Sequence, residues 1–231
     1  MMTSSTVTIS RYTGGADDAL HAIWEATVAS LHPAYTLSTT KMSQLLGADN
    51  AVTFVAREGD SDAILGYTLT YTIRAGAVEP ASQHLKGTLS ILAVARDAQG
   101  RGVGSALHDA ALEHLTSVVR GSLSRSTPPA ADSTISLGSI FPRVFPGLPV
   151  LDAFKPARAW FERRGWVFDA NTSIDLYGKL PNDVDLDKFK EQAHSHSIVF
   201  RPAKPEDEEK LMVLQKEFDS FTVSTCVSRD C

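Results

Sequence analysis

The sequence predicts an α/β (α+β) fold. Three observations carry that reading. Strand-like runs rich in Val, Ile, Thr and Tyr crowd the first hundred residues, as expected of side chains that pack on a half-buried pleated surface. Two helical runs separate the first strand from the next ones, so the early strands need not be parallel neighbours. An apolar strand, Leu92-Ala93-Val94, then runs into a glycine-spaced turn, Gln99-Gly100-Arg101-Gly102-Val103-Gly104-Ser105, that opens an amphipathic helix.

Val7 to Tyr12 alternates apolar and polar residues and reads as a strand, which Gly14-Gly15 breaks before Asp17 or Asp18 starts a helix. Leu20, Ile23, Trp24, Thr27, Val28 and Leu31 recur at helical spacing, and His32-Pro33 ends the run because the residue before proline avoids the α region. A shorter helix covers Thr39 to Leu46 and stops at Gly47. Ala51 to Arg57 and Ile64 to Ile73 form a hairpin about Glu58-Gly59-Asp60, and Thr88 to Val94 is the strand before the glycine turn. The following helix, Gly102 to Val119 with Gly121 closing it, sets Val103, Leu107, Ala111, Leu115 and Val118 on one face. Ser122 to Ser133 is a Ser/Pro/Ala loop, Thr134 to Leu137 a short strand, and Ile140 to Gly147 an aromatic loop punctuated by proline. Pro156 to Arg164 is helical with Gly165 past its end, and strands follow at Trp166 to Phe168 and Ser173 to Leu180.

Composition narrows the function classes. The 231 residues are 43% hydrophobic with a net charge of −5, which fits a soluble globular chain and gives no footprint for nucleic acid. No apolar run reaches the length of a membrane span, and Met1 to Val7 lacks a signal-peptide pattern, so the reading is cytoplasmic with no membrane partner. Cys226 and Cys231 are expected as free thiols near the end. The sequon Asn171-Thr172-Ser173 has no secretory context. His194 and His196 have no further ligands near them in the sequence, and no metal site is expected.

The glycine turn is built for an anion. Glycines 100, 102 and 104 remove Cβ atoms, letting backbone N–H groups approach a pyrophosphate with the helix dipole behind them, and Arg101 adds a full charge. A P-loop would need Lys-Ser/Thr after its last glycine, and none follows Gly104. A dinucleotide fingerprint counted from Gly100 fails at Ser105. Gln99, Gly102 and Gly104 do match Gln/Arg-x-x-Gly-x-Gly/Ala, with Leu92 and Val94 upstream as Leu-x-Val. This resembles the acyl-CoA binding motif of the GNAT superfamily of N-acetyltransferases. Ala157-Arg158-Ala159-Trp160-Phe161-Glu162-Arg163-Arg164-Gly165-Trp166 is similar to a second motif of that family, Ala-x-x-Phe-Tyr-Glu-x-x-Gly-Phe. The resemblance covers about Thr6 to Leu180, the element order agrees with the GNAT fold, and the fold it implies is a central mixed, mostly antiparallel sheet flanked by helices.

The resemblance implies acetyl-CoA as co-substrate and direct transfer of its acetyl group to a small amine. It implies that Leu92, Ala93 and Val94 pair with the pantetheine arm and that Gln99, Gly100, Arg101, Gly102, Val103, Gly104 and Ser105 hold the pyrophosphate. A backbone N–H near Val94 would serve as oxyanion hole. The chain also departs from the family. Ser90 stands where many members have a general-base Glu, Phe161 where a Tyr protonates the thiolate, and Phe154 where an Asn contacts the cofactor. Those departures leave the catalytic pair unassigned, with His32 and Tyr35 as candidates between the first two helices; for His32 a helix-ending surface role is the alternative. Keeping a lysine-like amine of pKa about 10.4 neutral at pH 7 costs roughly 4.6 kcal/mol, against about 1 for an α-amino-like group. Without a strong base, either the acceptor is expected to be a low-pKa amine such as an amino sugar or an α-amine, or the proton is removed through a water chain from another residue. Substrate contacts are expected from Phe141, Arg143, Phe145 and Trp160, since the matching region lines the acceptor pocket. His108 and His114, on the coenzyme helix, are read as solvated or interfacial. The Phe-Pro-Arg-x-x-Pro-Gly loop is similar to that of fungal GNAT modules thought to handle amino sugars. A catalytically degenerate module that senses acetyl-CoA or an acetylated metabolite is the competing reading.

Three segments follow: residues 1–180 as the acetyltransferase domain, 181–197 as a charged linker, and 198–231 as the incomplete start of a second GNAT-like repeat with a tail. In that last segment Ile198 to Asp207 reads as a strand leading to a helix with an acidic first turn. A homodimer is compatible with this organisation.

Overall fold

The computed structural model describes residues 7–59, 62–74, 85–122, 135–138, 147–168, 186–199, 201–202, 204–211 and 213. Contacts divide the chain into two compact units, residues 1–172 with 225–231, and residues 173–224.

The first unit is organised by a sheet of order β1-β2-β3-β4-β5, with β1 Val7–Arg11, β2 Ala51–Glu58, β3 Ile64–Arg74, β4 Leu85–Val94 and β5 Ile135–Leu137. The first three pairings are antiparallel and β4 with β5 is parallel, which is the mixed, mostly antiparallel sheet expected. Helices α1 Asp17–Thr27 and α2 Thr39–Leu46 cover one face. Their Leu20, Ile23, Trp24, Met42 and Leu45 pack with Val55, Tyr67, Leu69, Tyr71, Ile91 and Ala93. Tyr71 remains polar at its tip, and its hydroxyl donates to the Leu45 carbonyl at 2.8 Å. The opposite face belongs to α3 Val103–Ser122, whose Val103, Leu107, Ala111, Leu115 and Val119 are buried, and α4 Lys155–Glu162 lies beyond β5 in sequence.

Several expected boundaries move. Helix α1 ends at Thr27, and the chain reaches His32-Pro33 through a 3-10 turn at Ala29–Leu31, with another at Pro33–Tyr35. Helix α3 runs through Gly121, because Ser122 Oγ donates to the Val119 carbonyl at 2.6 Å and accepts from Leu85 N at 2.9 Å, carrying the last turn onto the sheet edge. The buried position of that turn is Val119, not Val118. The expected strand Trp166 to Phe168 is reduced to a bridge at Val167. The strand expected at Ser173 to Leu180, the loop at 123–133 and both cysteines lie outside the described residues.

His108 corrects the expectation of a solvated residue: it is 1% exposed. Its Nε2 accepts from Trp166 Nε1 at 2.9 Å. Indole N–H can only donate, so Nε2 carries the lone pair and Nδ1–H is left to face Asp109 Oδ1 at 3.2 Å. Trp160 and Phe161 stand edge-on to the same ring or tilted against it, at 5.4 and 6.3 Å between centroids. Periodicity alone could not separate this from a surface histidine, since the partner lies 58 residues away. His114 is half-buried edge-on to Phe54, and burial together with the Arg11 charge lowers its pKa.

Beyond residue 172, Leu186–Ser195 forms helix α5 inside the segment expected to be a linker. Leu186, Phe189 and Ala193 explain it, since spacings of three and four place them on one helical face. Ile198 and Val199 are exposed and form no strand. Arg201 grips Asp207 through two bonds of 2.6 and 2.7 Å, and the Arg201 hydrogen bond holds that carboxyl down at about 2.

Two stability outcomes follow. A Cβ on Gly66 would meet the Ala93 carbonyl oxygen at 2.7 Å, a backbone atom that cannot swing aside. Gly66→Ala should therefore cost about 1–3 kcal/mol by urea unfolding; wild-type stability would contradict the tight β3–β4 packing. Trp166→Phe withdraws the proton given to His108 and should cost roughly 1–3 kcal/mol. In a double-mutant cycle with His108→Leu, a coupling below about 0.5 kcal/mol would show that the pair does not interact.

Candidate functional site

The site grows from a defect in β4. On the β3 side, Leu69 pairs with Ile91 and Thr70 with Leu89, so Ser90 is an extra residue in the ladder, a β-bulge. The bulge reverses which residues face α3. Before it, Gly87 and Leu89 point that way: a Cβ at Gly87 would meet Leu115 Cδ2 at 2.9 Å, and Leu89 packs with Ala111 and Leu115. After it, Leu92 and Val94 pack with Val103 and Leu107, while Ile91 and Ala93 turn to the α1 and α2 side.

On its other edge β4 pairs with β5 only from Gly87 to Leu89, and Gly138 N closes the ladder on the Leu89 carbonyl at 3.0 Å. Among the described residues, no strand pairs with Ser90 to Val94 on that side. An open cleft of about 210 Å³ lies there, lined by Trp24, Thr27, Val28 and Leu31 on one side and by Leu137, Gly138, Phe154, Ala157 and Phe161 on the other. Its floor is Leu89 to Val94, and Gln99 stands at one end.

Beyond the cleft the chain turns through a 3-10 element, Arg96–Ala98, into the glycine turn. Gln99 Nε2 donates to the Val94 carbonyl at 3.0 Å, tying turn to strand. Gly100 and Gly102 have φ of 74° and 85°, the left-handed region that side chains rarely adopt, and a Cβ on either would meet nothing within 4 Å. Their conformation, not crowding, selects glycine, and the space above them is open to a ligand. Gly104 is different: it is helical, and a Cβ there would lie 3.6 Å from Val94 and 3.8 Å from Trp160. Val103 is buried at the start of α3. The first N–H groups of a helix have no intrahelical acceptor, so this end of α3 offers donors and the positive end of a dipole.

The charges around the turn are already engaged. Arg101 forms an ion pair with Glu58 at the end of β2. Ser105 Oγ accepts from Arg164 Nη2 at 2.5 Å, and the Arg164 guanidinium lies 3.5 Å above the Trp160 ring. Trp160, expected at the acceptor pocket, is thus packed against Gly104, His108 and Arg164 and is not among the cleft-lining residues. Sequence reading missed Glu58, taken as a turn residue, and the end of α1, taken as core alone.

His32 and Tyr35 sit in the turn after α1. His32 Nδ1 accepts from Ala34 N at 3.2 Å, so the ring caps the 3-10 turn and presents its N–H, not a lone pair, at Nε2. Tyr35 stands edge-on to the cleft residue Phe154 at 5.5 Å, and its carbonyl accepts from Trp24 Nε1 at 2.7 Å. Phe141, Arg143 and Phe145 lie outside the described residues. No helix among the described residues is long and apolar enough to cross a membrane.

Among solved structures, the chain is similar to the GCN5-related glucosamine N-acetyltransferase region of a fungal multi-domain GH3 beta-N-acetylglucosaminidase, with 27% identity and a TM-score of 0.69. The match covers 96% of this chain and 24% of that one, so the chain spans about a quarter of its solved relative. A transcriptional regulator from Bacillus halodurans C-125 shares the fold, with 17% identity, a TM-score of 0.50, and coverage of 75% and 100% of the two chains. Curated proteins give no match. Residues 17–125 match the acetyltransferase (GNAT) family model, a span that holds both early helices, the bulged strand, the glycine turn and all of α3.

Proposed function

We propose that the chain is an acetyl-CoA-dependent N-acetyltransferase acting on a small primary amine, with amino sugars favoured. The parting of β4 from β5 after Leu89, directly upstream of the glycine turn, is the observation that carries this reading. The family generally uses acetyl-CoA, and the residues here fit it. A strand edge of the length Ser90 to Val94 offers backbone donors and acceptors to an extended amide-bearing arm. The open left-handed glycines and the start of α3 suit a pyrophosphate, with Arg101 and Arg164 beside them. The bound thioester would supply an activated acetyl group, and Trp24 and Phe161 would wall it with largely apolar surface. The amino-sugar preference rests on the fungal relative and on the cleft's described lining, which holds no carboxylate able to strip a lysine-like amine.

A second reading, a module that binds acetyl-CoA or an acetylated metabolite without turnover, is favoured by Ser90 and Phe161, which bring no ionisable group to the cleft. Acetyl transfer assayed against glucosamine, an α-amine peptide and a lysine peptide separates the two. We further propose that residues 198–231 are dispensable for acetyl-CoA binding, which a chain ending at Leu180 should show by retaining its affinity within about tenfold, 1.4 kcal/mol.

Gly102→Asp places a carboxylate and a strained φ where the anion is held. Calorimetry should show acetyl-CoA affinity falling by at least about tenfold while the circular dichroism spectrum is kept; unchanged affinity would sink the assignment. The pH–rate profile should rise with an amine of pKa near 8 and carry no separate enzyme-base limb at about 6 to 7. A limb in that range that vanishes on a single substitution would contradict it.

A further inference from the structure

Polar side chains are scarce in the cleft, and all but one have work within the fold. Among the described lining residues, Trp24 Nε1 donates to the Tyr35 carbonyl, Thr27 Oγ1 to the Ile23 carbonyl at 2.5 Å, and Gln99 Nε2 to the Val94 carbonyl. Ser90 is the exception. It is 7% exposed, and its Oγ has no hydrogen-bond partner. Strand alternation from Leu89, which faces α3, places Ser90 on the α1 side, and the bulge brings Ile91 to that same side. A hydroxyl buried without a partner is destabilising, and alanine or glycine at the same position would avoid that cost. An orphan of this kind calls for a ligand or a water that the folded chain alone does not provide.

The same lining poses a chemical problem. None of the described residues around the cleft carries a carboxylate, imidazole or amine. An attacking amine must lose a proton, and with no base among the described lining residues the route those residues leave open runs through water. A water in an apolar cleft needs polar partners to stay ordered. We propose that Ser90 Oγ holds that water and so positions the exit path for the amine proton, an inference that rests on the acetyl-transfer reading above.

The chemistry balances without any further reagent. The amine nitrogen bonds to the thioester carbonyl carbon, and the C–S bond breaks with its electron pair on sulfur. One N–H proton passes to the water held by Ser90 Oγ and on to solvent, and the thiolate takes one proton back from solvent. Amine and thioester become amide and thiol with no net change in protons. Ser90 stays un-ionised throughout and acts through the water, as a positioning residue.

The test compares the full chain with Ser90→Ala and Ser90→Glu, using acetyl-CoA with glucosamine and with an α-amine dipeptide. Ser90→Ala should keep its acetyl-CoA Kd within twofold and its Tm at or above that of the wild type, since it removes an unpaired hydroxyl, while kcat falls at least tenfold. Ser90→Glu puts a base on the same path. It should restore turnover relative to Ser90→Ala and add an acid limb to the pH profile, with the rate rising as the new carboxylate loses its proton. Wild-type kcat in Ser90→Ala overturns the relay. So does a fall in kcat that comes with a lowered Tm and weakened acetyl-CoA binding, because that pattern marks a structural role. Transfer by the wild type with an unaffected Ser90→Ala leaves the acetyltransferase reading standing, whereas no transfer by the wild type to either amine overturns both.

Discussion

Strand β4 is asked to hydrogen-bond on two edges, and on one of them it does so along only part of its length. Its β3 edge is paired from Leu85 to Val94, with Ser90 as the bulge. Its β5 edge is paired from Gly87 to Leu89. Backbone groups left at a strand edge are strong, unspent donors and acceptors, and among the described residues no strand meets the half of β4 beyond the bulge on that edge. The rest of the first unit serves that condition. Helices α1 and α2 hold the sheet from one face through Trp24, Met42 and the tyrosines, and α3 holds it from the other through Val103, Leu107 and Leu115.

The second half of the site depends on a brace between α3 and α4. Gly104 lets Trp160 come close to the first turn of α3, Arg164 covers Trp160 and reaches Ser105, and His108 receives the Trp166 proton one turn further on. These contacts fix the helix end whose unpaired N–H groups face the glycine turn. Preorganised donors of this kind bind an anion without reordering themselves. The motif helix therefore contributes packing to the cofactor side, and its one cleft-facing aromatic among the described residues is Phe161, a hydrocarbon wall. Arg101 is held by Glu58, which keeps a cation beside the turn.

Much of this was legible in the chain itself. Alternation and helical spacing placed β1, α1, α2, the hairpin, β4 and α3 within a few residues, because each element has one wet and one dry face and its period shows. The glycines at 100 and 102 were legible because left-handed backbone leaves a compositional mark. What escaped notice involves partners distant in sequence. His108 looks like any helical histidine until Trp166 is brought to it, Gly121 looks like a stop until Ser122 finds Leu85, and Glu58 looks like a turn residue until Arg101 arrives. The bulge at Ser90 left no signal at all, since Leu89, Ile91 and Ala93 continue to alternate in sequence while changing face in space.

The central claim is that the unpaired half of β4 and the turn after it receive one extended ligand, bonded along the strand and anchored at the helix end. Amide hydrogen exchange with and without acetyl-CoA reads this directly, because the ligand would take up N–H groups that the folded chain leaves to water. The account requires slowed exchange in two places at once, within Ser90 to Val94 and within Gly102 to Ser105, with α2 and the β1–β2 pair unchanged. Protection confined to other segments, or no protection at ligand concentrations well above Kd, would contradict it.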